Sequence, residues 1–579
     1  MIVTYNWLKE FVDFDYSPDE LCHRLTMAGL EVDALEEIGG GLDSVVVAKL
    51  ESVEKHPDAD KLTVCQVNNG TETVQVVCGA PNHKTGDIVA FAQVGSVLPG
   101  DFNIKRSKSR GQVSMGMLCS GKELALSEES AGIMILSPDL ELGQPVFDAL
   151  ELKDFMIEIG LTPNRPDCLS VVGVAREVAA MCDQKLKLPT PQITESAEKI
   201  ENQTSVAIED AEYCPRYAAR MIKGVKIGPS PDWMVRRLEA VGMRSINNVV
   251  DVTNYVMLEL GHPMHAFDFR FLEEGRIVVK RAQQGEKFTT LDDQEHEMIA
   301  EDLMICDGKK PVAMAGVMGG QNSEVQDDTE TILLEAAYFK PTAIRRTSKR
   351  HGLHTESSHR FERGADIDMI LVALDRAASL IAELGQGGIL AGVIDNYPQP
   401  LQTPVLDLSL AKVQALLDIP VDLQTVQVLL ESIGLQVEDG RSADQLQVTV
   451  PSFRPDIERE VDLIEEVARL YGYDDIPVTM PVGTVDAVVP PKRQQVQTIL
   501  RNSIVACGFS EAMNYSFYSV DAVEKLGVAA DDPRREQVKI LNPLSEDQAV
   551  MRTSLVPSLL ETVSRNLAYR SNDLRLFEL

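Results

Sequence analysis

PSFRPDIEREVDLIEEVARLYGYDDIP (451–477) carries the clearest periodicity in the chain. Ile457, Val461, Ile464, Ala468 and Tyr471 recur at i, i+4, i+7, i+11 and i+14, one apolar stripe of an amphipathic helix. Asp456, after Pro455, suits an N-cap or first-turn position, and Gly472 a stop, so the spacing predicts a helix over 455–471. Glu458, Asp462, Glu465, Glu466 and Arg469 fall on the opposite face. Asp462, Glu465 and Glu466 stand at i, i+3 and i+4, bringing their carboxylates within about one turn. Two readings fit that face. It is solvated with Arg469 as a local counter-ion, or it holds a hard divalent cation, for which oxygen-only ligands favour Mg²⁺ over zinc. Spacing alone leans to the first.

Outward from this helix, prolines and polar runs divide the chain. Pro477, Pro481, Pro490 and Pro491 mark a linker on one side, and Pro398, Pro400 and Pro404 another on the other side. The polar stretch PQITESAEKIENQTS (191–205) reads as a third. Gly39, Gly40 and Gly41 close an N-terminal segment whose core candidates are Trp7, Leu8, Phe11, Leu21, Leu25 and Leu30. Between 42 and 150, β-branched runs (Val45–Ala48, Leu62–Val67, Val74–Cys78, Ile88–Phe91) alternate with turn residues, which predicts a small antiparallel barrel or sandwich. At 579 residues the chain suits about four domains.

Composition excludes several classes. With 44% hydrophobic and 25% charged residues, neither a disordered nor a collagen-like chain is expected. No run approaches the ~18 apolar residues of a membrane span. The start, MIVTYNWLKEFVDFD, lacks the basic-then-apolar order of a secretory signal. Nine scattered cysteines, never spaced CxxC, fit reduced cytoplasmic thiols better than disulfides or zinc. The expectation is a soluble cytoplasmic protein.

Charge restricts the partners. Lys+Arg total 55 against 89 Asp+Glu, a net charge of −34 that repels nucleic acid on average. DNA is therefore not expected, and any RNA contact needs a local basic patch. Lys105, Arg106, Lys108 and Arg110 form one, with Lys122 following and no acid between Asp101 and Glu123. Arg345, Arg346, Lys349 and Arg350 form a second.

Several segments imitate chemistry. GAPNHKT (79–85) has His83 where a phosphate loop needs its second glycine. His262 and His265 lack a third ligand at metal spacing. KRSKS (105–109) lacks the HxGH partner of a class I synthetase. By contrast GHPMHAFD (261–268), AGVMGG (315–320), LLEAAYF (333–339) and HGLHTESSHRFERG (351–364) combine glycines, histidines and acids in the manner of a ligand pocket. Each also has a bland reading as a turn, a core ion pair or a helix cap.

In this order the motifs resemble the β subunit of bacterial phenylalanyl-tRNA synthetases, over the whole chain. SKSRGQVSMGMLCSGKELALS (107–127) is similar to a tRNA-binding oligonucleotide-fold module shared by several proteins; HGLHTESSHRFERG and the 451–477 stretch are far more specific. The resemblance implies a multidomain α+β chain. An N-terminal α/β domain (1–39 and 151–200, including TPNRPDCLSVVGVAREVAA, 162–180) is interrupted by an oligonucleotide-binding β-barrel (40–150). An α+β B3/B4 editing domain (206–397) and a small winged-helix-like B5 domain (402–477) follow. Last comes an incomplete, inactive class II synthetase-like antiparallel-sheet domain (490–579), clearest at NPLSEDQAVMRTSLVPSLLETVSRN (542–566), which stops at RLFEL (575–579) before the family's C-terminal anticodon-binding domain.

The resemblance also implies roles. Asp456, Asp462, Glu465 and Glu466 match a Mg²⁺ set, which shifts the reading of the acidic face toward the ion. His265, Glu335, Gly319, Thr355 and Ser357 match a pocket that hydrolyses tyrosyl-tRNA, with Ser357 where many members carry alanine. Lys105, Arg106, Lys108, Arg110 and Lys122 are the expected tRNA contacts. The implied partners are an α subunit in an α₂β₂ heterotetramer and tRNA(Phe), with ATP and Mg²⁺ used by the assembled ligase and amino-acid activation on α. Two rivals are a non-catalytic tRNA-binding adaptor and a free-standing editing hydrolase.

Overall fold

In a computed structural model, residues 1–126, 132–150, 152–480, 482–484 and 488–579 are described, so Ser127 and Pro481 of the motifs above lie outside them. The helix read from the 451–477 stretch runs Glu460–Tyr471 and ends at Gly472, whose φ is +105°. It starts later than the spacing predicts because Asp456 is held by the Arg454 side chain rather than capping a turn. Arg459 takes the N-cap position, and the Asp462 carboxylate accepts from the Glu458 and Arg459 N–H groups. Ile457, Leu463, Ile464 and Val467 are buried in the core around this helix, while Val461 is 45% exposed. Glu466 and Arg469, expected on an open face, are buried. The helix is covered on two sides, so part of its polar face, Glu466 and Arg469, is shut off from water while Glu458 and Glu465 remain exposed.

The chain forms two units, Met1–Val478 and Thr479–Leu579. In the first, strands Ile2–Thr4 and Glu31–Ile38 flank Asp154–Gly160 in one antiparallel sheet, so segments on both sides of the 45–145 region share a core. Trp7, Leu8, Phe11, Leu21, Leu25 and Leu30 are buried there with the Val171–Met181 helix. Strands Val45–Lys55, Thr63–Asn68, Thr73–Cys78, Ile88–Gln93 and Gly116–Leu118 form the expected antiparallel sheet. Met115 N–H donates to Gln75 O at 2.9 Å, bringing its two edges together.

The 206–397 region is built from two sheets. One orders Glu195–Lys199, Gly388–Ala391, Arg216–Lys223, Thr331–Tyr338 and Met264–Asp268 side by side, with Ile394–Asn396 also on Arg216–Lys223. The 191–205 stretch is therefore not a plain linker, since Glu195–Lys199 pairs in parallel with Gly388–Ala391. One face of this sheet lies under the Val250–Leu260 and Met369–Gly385 helices. Its other face shares a core with a second sheet of Val206–Ile208, Ile277–Arg281, Leu303–Cys306, Pro311–Met314 and Met318–Gly319. Beyond it, strands Val405–Ser409, Gln445–Thr449 and Gln436–Asp439 pack with three helices.

In the second unit, strands Ser510–Glu511 and Leu576–Phe577 pair in parallel, and Phe517–Tyr518 pairs with Val550–Met551. Its Lys492–Ala506 helix buries no residue.

Candidate functional site

Sequence-distant motifs meet between the two sheets of the 206–397 region. His265 on Met264–Asp268 stands directly opposite Glu335 on Thr331–Tyr338, a cross-strand pair whose side chains share a face. They line a cavity of about 100 Å³ with Gly319, Met318, Val317, Gly316 and Ser357. Burial pushes the Glu335 carboxyl up to about 8 and the His265 imidazole down to about 4. At neutral pH both are mainly uncharged. The His265 Nε2 atom has no hydrogen-bond partner among the described residues, an exception for a buried polar atom. The cavity thus offers unspent polar groups in an apolar shell.

Backbone shape makes room for them. A Cβ on Gly319 would lie 2.4 Å from His265 Cε1, so only glycine fits there. Gly316 turns with φ +66°, and a Cβ there would meet Phe339 Cδ2 at 2.9 Å. The Glu356–Phe361 helix is fixed to this loop at its N-terminus. Thr355, its N-cap, accepts from Ser358 N–H at 3.0 Å and donates to Val317 O at 2.8 Å. Ser357 Oγ donates to Gly316 O at 3.2 Å, so its extra hydroxyl is satisfied within the wall. Four of the five expected pocket residues line the cavity; Thr355 holds the wall instead.

His262 sits apart, its ring edge-on to Phe361, while the His265 ring meets Phe267, so the two form no metal pair. His83 bonds Thr63 Oγ1 at 2.9 Å and cradles no phosphate loop.

The acidic set is arranged differently from the expectation. Arg454 donates to Asp456 at 2.9 Å through two nitrogens and to Glu466 at 2.7 Å. Glu466 also accepts from Arg469 at 2.5 and 3.0 Å, and Arg469 reaches Glu177 at 2.6 and 3.0 Å. Arg165 closes the cluster on Glu177 and Asp167. The two arginines hold the Glu466 carboxyl far below the usual carboxylate range against its burial. Asp462 faces Arg459, and Glu465 is exposed. The four carboxylates therefore do not converge on one point, and arginines occupy the places a cation would take. Among the described residues the one group with convergent ligand atoms is Asp167, Cys168 and Glu177, into which Arg165 already donates. These residues do not fit a magnesium site in this structure. The sequence signal for this cluster was Arg454 itself, set between Phe453 and Pro455.

Family models match in register with these regions: a tRNA binding domain at 45–145, a B3/4 domain at 213–386, a tRNA synthetase B5 domain at 406–473 and a phenylalanyl tRNA synthetase beta chain CLM domain at 476–579. The chain is 63% identical to the phenylalanine–tRNA ligase beta subunit of Syntrophotalea carbinolica, across all of this chain and 72% of that one. The relatives of the same name in Geobacter metallireducens and Moorella thermoacetica are 58% and 45% identical over the same shares. The chain belongs to the phenylalanine–tRNA ligase beta-subunit family. Its fold is accordingly a multidomain mixed α/β one with tRNA-binding, B3/4 and B5 domains.

Within the family's tRNA binding domain region, the basic run forms a hairpin edge. Strands Ser107–Ser109 and Gln112–Ser114 pair around a turn in which Arg110 has φ +43°. Lys105, Arg106, Lys108 and Arg110 are exposed, and no carboxylate stands within ion-pair distance of them among the described residues. Arg110 donates to Asp58 O at 3.0 Å, tying the hairpin to the 56–58 loop. Lys122 is exposed in a separate turn. Five residues before the hairpin in sequence, Phe102 is 54% exposed and offers an aromatic surface that basic residue counts do not reveal. The second basic cluster is partly neutralised, since Arg350 pairs with Asp302 and Glu301. No helix is long and apolar enough to cross a membrane among the described residues, and all nine cysteines are free.

Proposed function

We propose that this chain acts as the beta subunit of a cytoplasmic phenylalanine–tRNA ligase and proofreads its product. With an α partner in an α₂β₂ heterotetramer, the ligase converts ATP, L-phenylalanine and tRNA(Phe) to L-phenylalanyl-tRNA(Phe), AMP and diphosphate. Activation belongs to α, where ATP and Mg²⁺ enter. The finer domain reading goes with this: an oligonucleotide-binding barrel, a winged-helix-like B5 domain and an inactive class II-like domain. Lys105, Arg106, Lys108, Arg110 and Lys122 contact tRNA phosphates.

The observation that carries the proofreading role is the facing, mainly uncharged His265–Glu335 pair on the cavity beneath Gly319. Tyrosine differs from phenylalanine by one hydroxyl, which an apolar synthetic pocket rejects only by ~10². A second pocket that hydrogen-bonds that hydroxyl reverses the preference. Glu335 accepts the phenol proton, and neutral His265 orients the ester end or the attacking water. Water adds to the ester carbonyl, freeing tyrosine and restoring the terminal ribose hydroxyl of the tRNA. Ser357, already bonded to Gly316, leaves the cavity wall nearly as apolar as alanine would.

The test is Glu335→Ala in the assembled ligase. Tyrosine should accumulate on tRNA(Phe) while phenylalanine charging stays intact. Unchanged proofreading would overturn the assignment.

A further inference from the structure

We propose that the hydroxyl of Tyr217 positions the Glu335 carboxyl for the phenol of a bound tyrosyl group. The inference rests on the proofreading reading and adds a residue to it.

Tyr217 lies on the Arg216–Lys223 strand, next to the Glu335 strand. In that register Ala219 is opposite Glu335 and Tyr217 opposite Ala337. Tyr217 therefore shares a sheet face with Glu335 and stands diagonally from it, a separation long side chains span. Small residues, Ala219 and Ala337, occupy the other two corners of that four-residue patch. Glu335 thus has His265 on one flank and Tyr217 on the other.

The hydroxyl itself calls for an explanation. Tyr217 is wholly buried among apolar side chains, and its OH has no partner among the described residues. A buried hydroxyl without a bond is destabilising, and phenylalanine would fill the same volume without it. Nearby Cys214 is no partner, because its thiol is directed to Arg216 O at 3.6 Å. The Glu335 carboxyl is the complementary group: the two are not bonded in this structure, and the bond we infer is the one the carboxyl makes on turning toward the hydroxyl across their shared sheet face. A tyrosine hydroxyl donating to one carboxyl oxygen fixes the plane of the group. The second oxygen is then presented toward the cavity, free to accept from the tyrosyl phenol.

The experiment uses the assembled ligase with Tyr217→Phe. Deacylation of tyrosyl-tRNA(Phe) and of phenylalanyl-tRNA(Phe) is followed from pH 6 to pH 9. The tyrosyl preference should fall by up to about ten-fold, the loss of one buried hydrogen bond. The midpoint of its pH dependence should move upward, because the carboxylate loses a donor. Tyr217→Met, also without the hydroxyl, should move both in the same direction, and thermal unfolding of each variant verifies that the fold is retained. A preference and midpoint equal to those of the parent enzyme would overturn the role of Tyr217. Glu335→Gln separates the two ideas. If it abolishes the preference while Tyr217→Phe does not, only the positioning role is lost; if Glu335→Gln is also silent, the proofreading reading falls.

Discussion

Gly319 presses its backbone against the imidazole of His265, with no space for even one carbon between them. The contact defines the depth of the cavity, since the ring forms one wall and the glycine another. Gly319→Ala must displace the His265 ring and also crowds the nearby Leu291 methyl. Tyrosyl-tRNA deacylation should fall at least ten-fold while phenylalanine charging and the unfolding temperature change little. Measuring all three on one preparation distinguishes a filled pocket from a destabilised domain.

Acid–base linkage at the same pair has a definite sign. Glu335 is pushed up to about 8, so between about pH 4.5 and pH 8 the folded state holds a proton that the unfolded state has released. Stability supplied by the neutral carboxyl is therefore lost as pH rises through that window. His265, lowered to about 4, works oppositely: between about pH 4 and pH 6.5 the unfolded chain binds the extra proton, so its contribution grows as pH rises. Urea unfolding of Glu335→Gln should show a flatter loss of stability from pH 6 to pH 8 than the parent. An identical slope would mean that the carboxyl is not held neutral.

The carboxylates on the Glu460–Tyr471 helix should separate by environment. Glu466→Gln leaves Arg454 and Arg469 short of a buried counter-ion and should destabilise the first unit by about 3–5 kcal/mol. Glu465→Gln, on an exposed residue, should change stability by less than about 0.5 kcal/mol. Because arginines fill the space between the acids, a chelator should leave the unfolding of this chain unmoved. A Mg²⁺-dependent shift that Glu466→Gln removes would show that the cluster rearranges around an ion.

For tRNA, the exposed hairpin predicts a change in salt dependence rather than in specificity. Replacing Lys105 and Lys108 with glutamine should lower the slope of log K against log salt by about 1.4 to 1.8, roughly 0.7–0.9 per phosphate contact. Phe102→Ala should weaken binding by about 1–3 kcal/mol with little effect on that slope, if bases stack on it. Filter binding at four salt concentrations reads both.

Local patterns were the legible part of the fold. The apolar spacing of Ile457, Ile464 and Ala468 announced the helix, and the alternation from Val45 to Phe91 announced a barrel-like sheet. Periodicity could not show that the helix is covered on two sides, because Glu466 and Arg469 read as solvent-facing until Glu177, far away in sequence, supplies the matching charge. The polar 195–199 stretch likewise looks like a linker because all five of its residues are exposed, and the backbone pairing and the ion pairs from Glu195 and Glu198 to Arg220 and Lys223 that join it to the sheet leave no apolar pattern. In the pocket, the motifs suggested glycines, histidines and an acid together and the family resemblance singled out His265, Glu335 and Gly319, but neither gave their mutual register. Tyr217 carried no signal at all, since one tyrosine in an apolar strand resembles ordinary core.

The bond between Arg469 and Glu177 spans 292 positions of the chain. At about 5–20 residues per second on the ribosome, the arginine emerges on the order of 15–60 s after the glutamate it neutralises. During that interval Glu177 has only Arg165 from its own neighbourhood, and Arg454 is likewise still to come. The N-terminal core can collapse early, yet its charged face stays open until the last helix of the first unit arrives. Synthesis therefore contains a built-in waiting period, during which an incomplete chain exposes an acidic, half-matched surface to whatever cationic segment passes by.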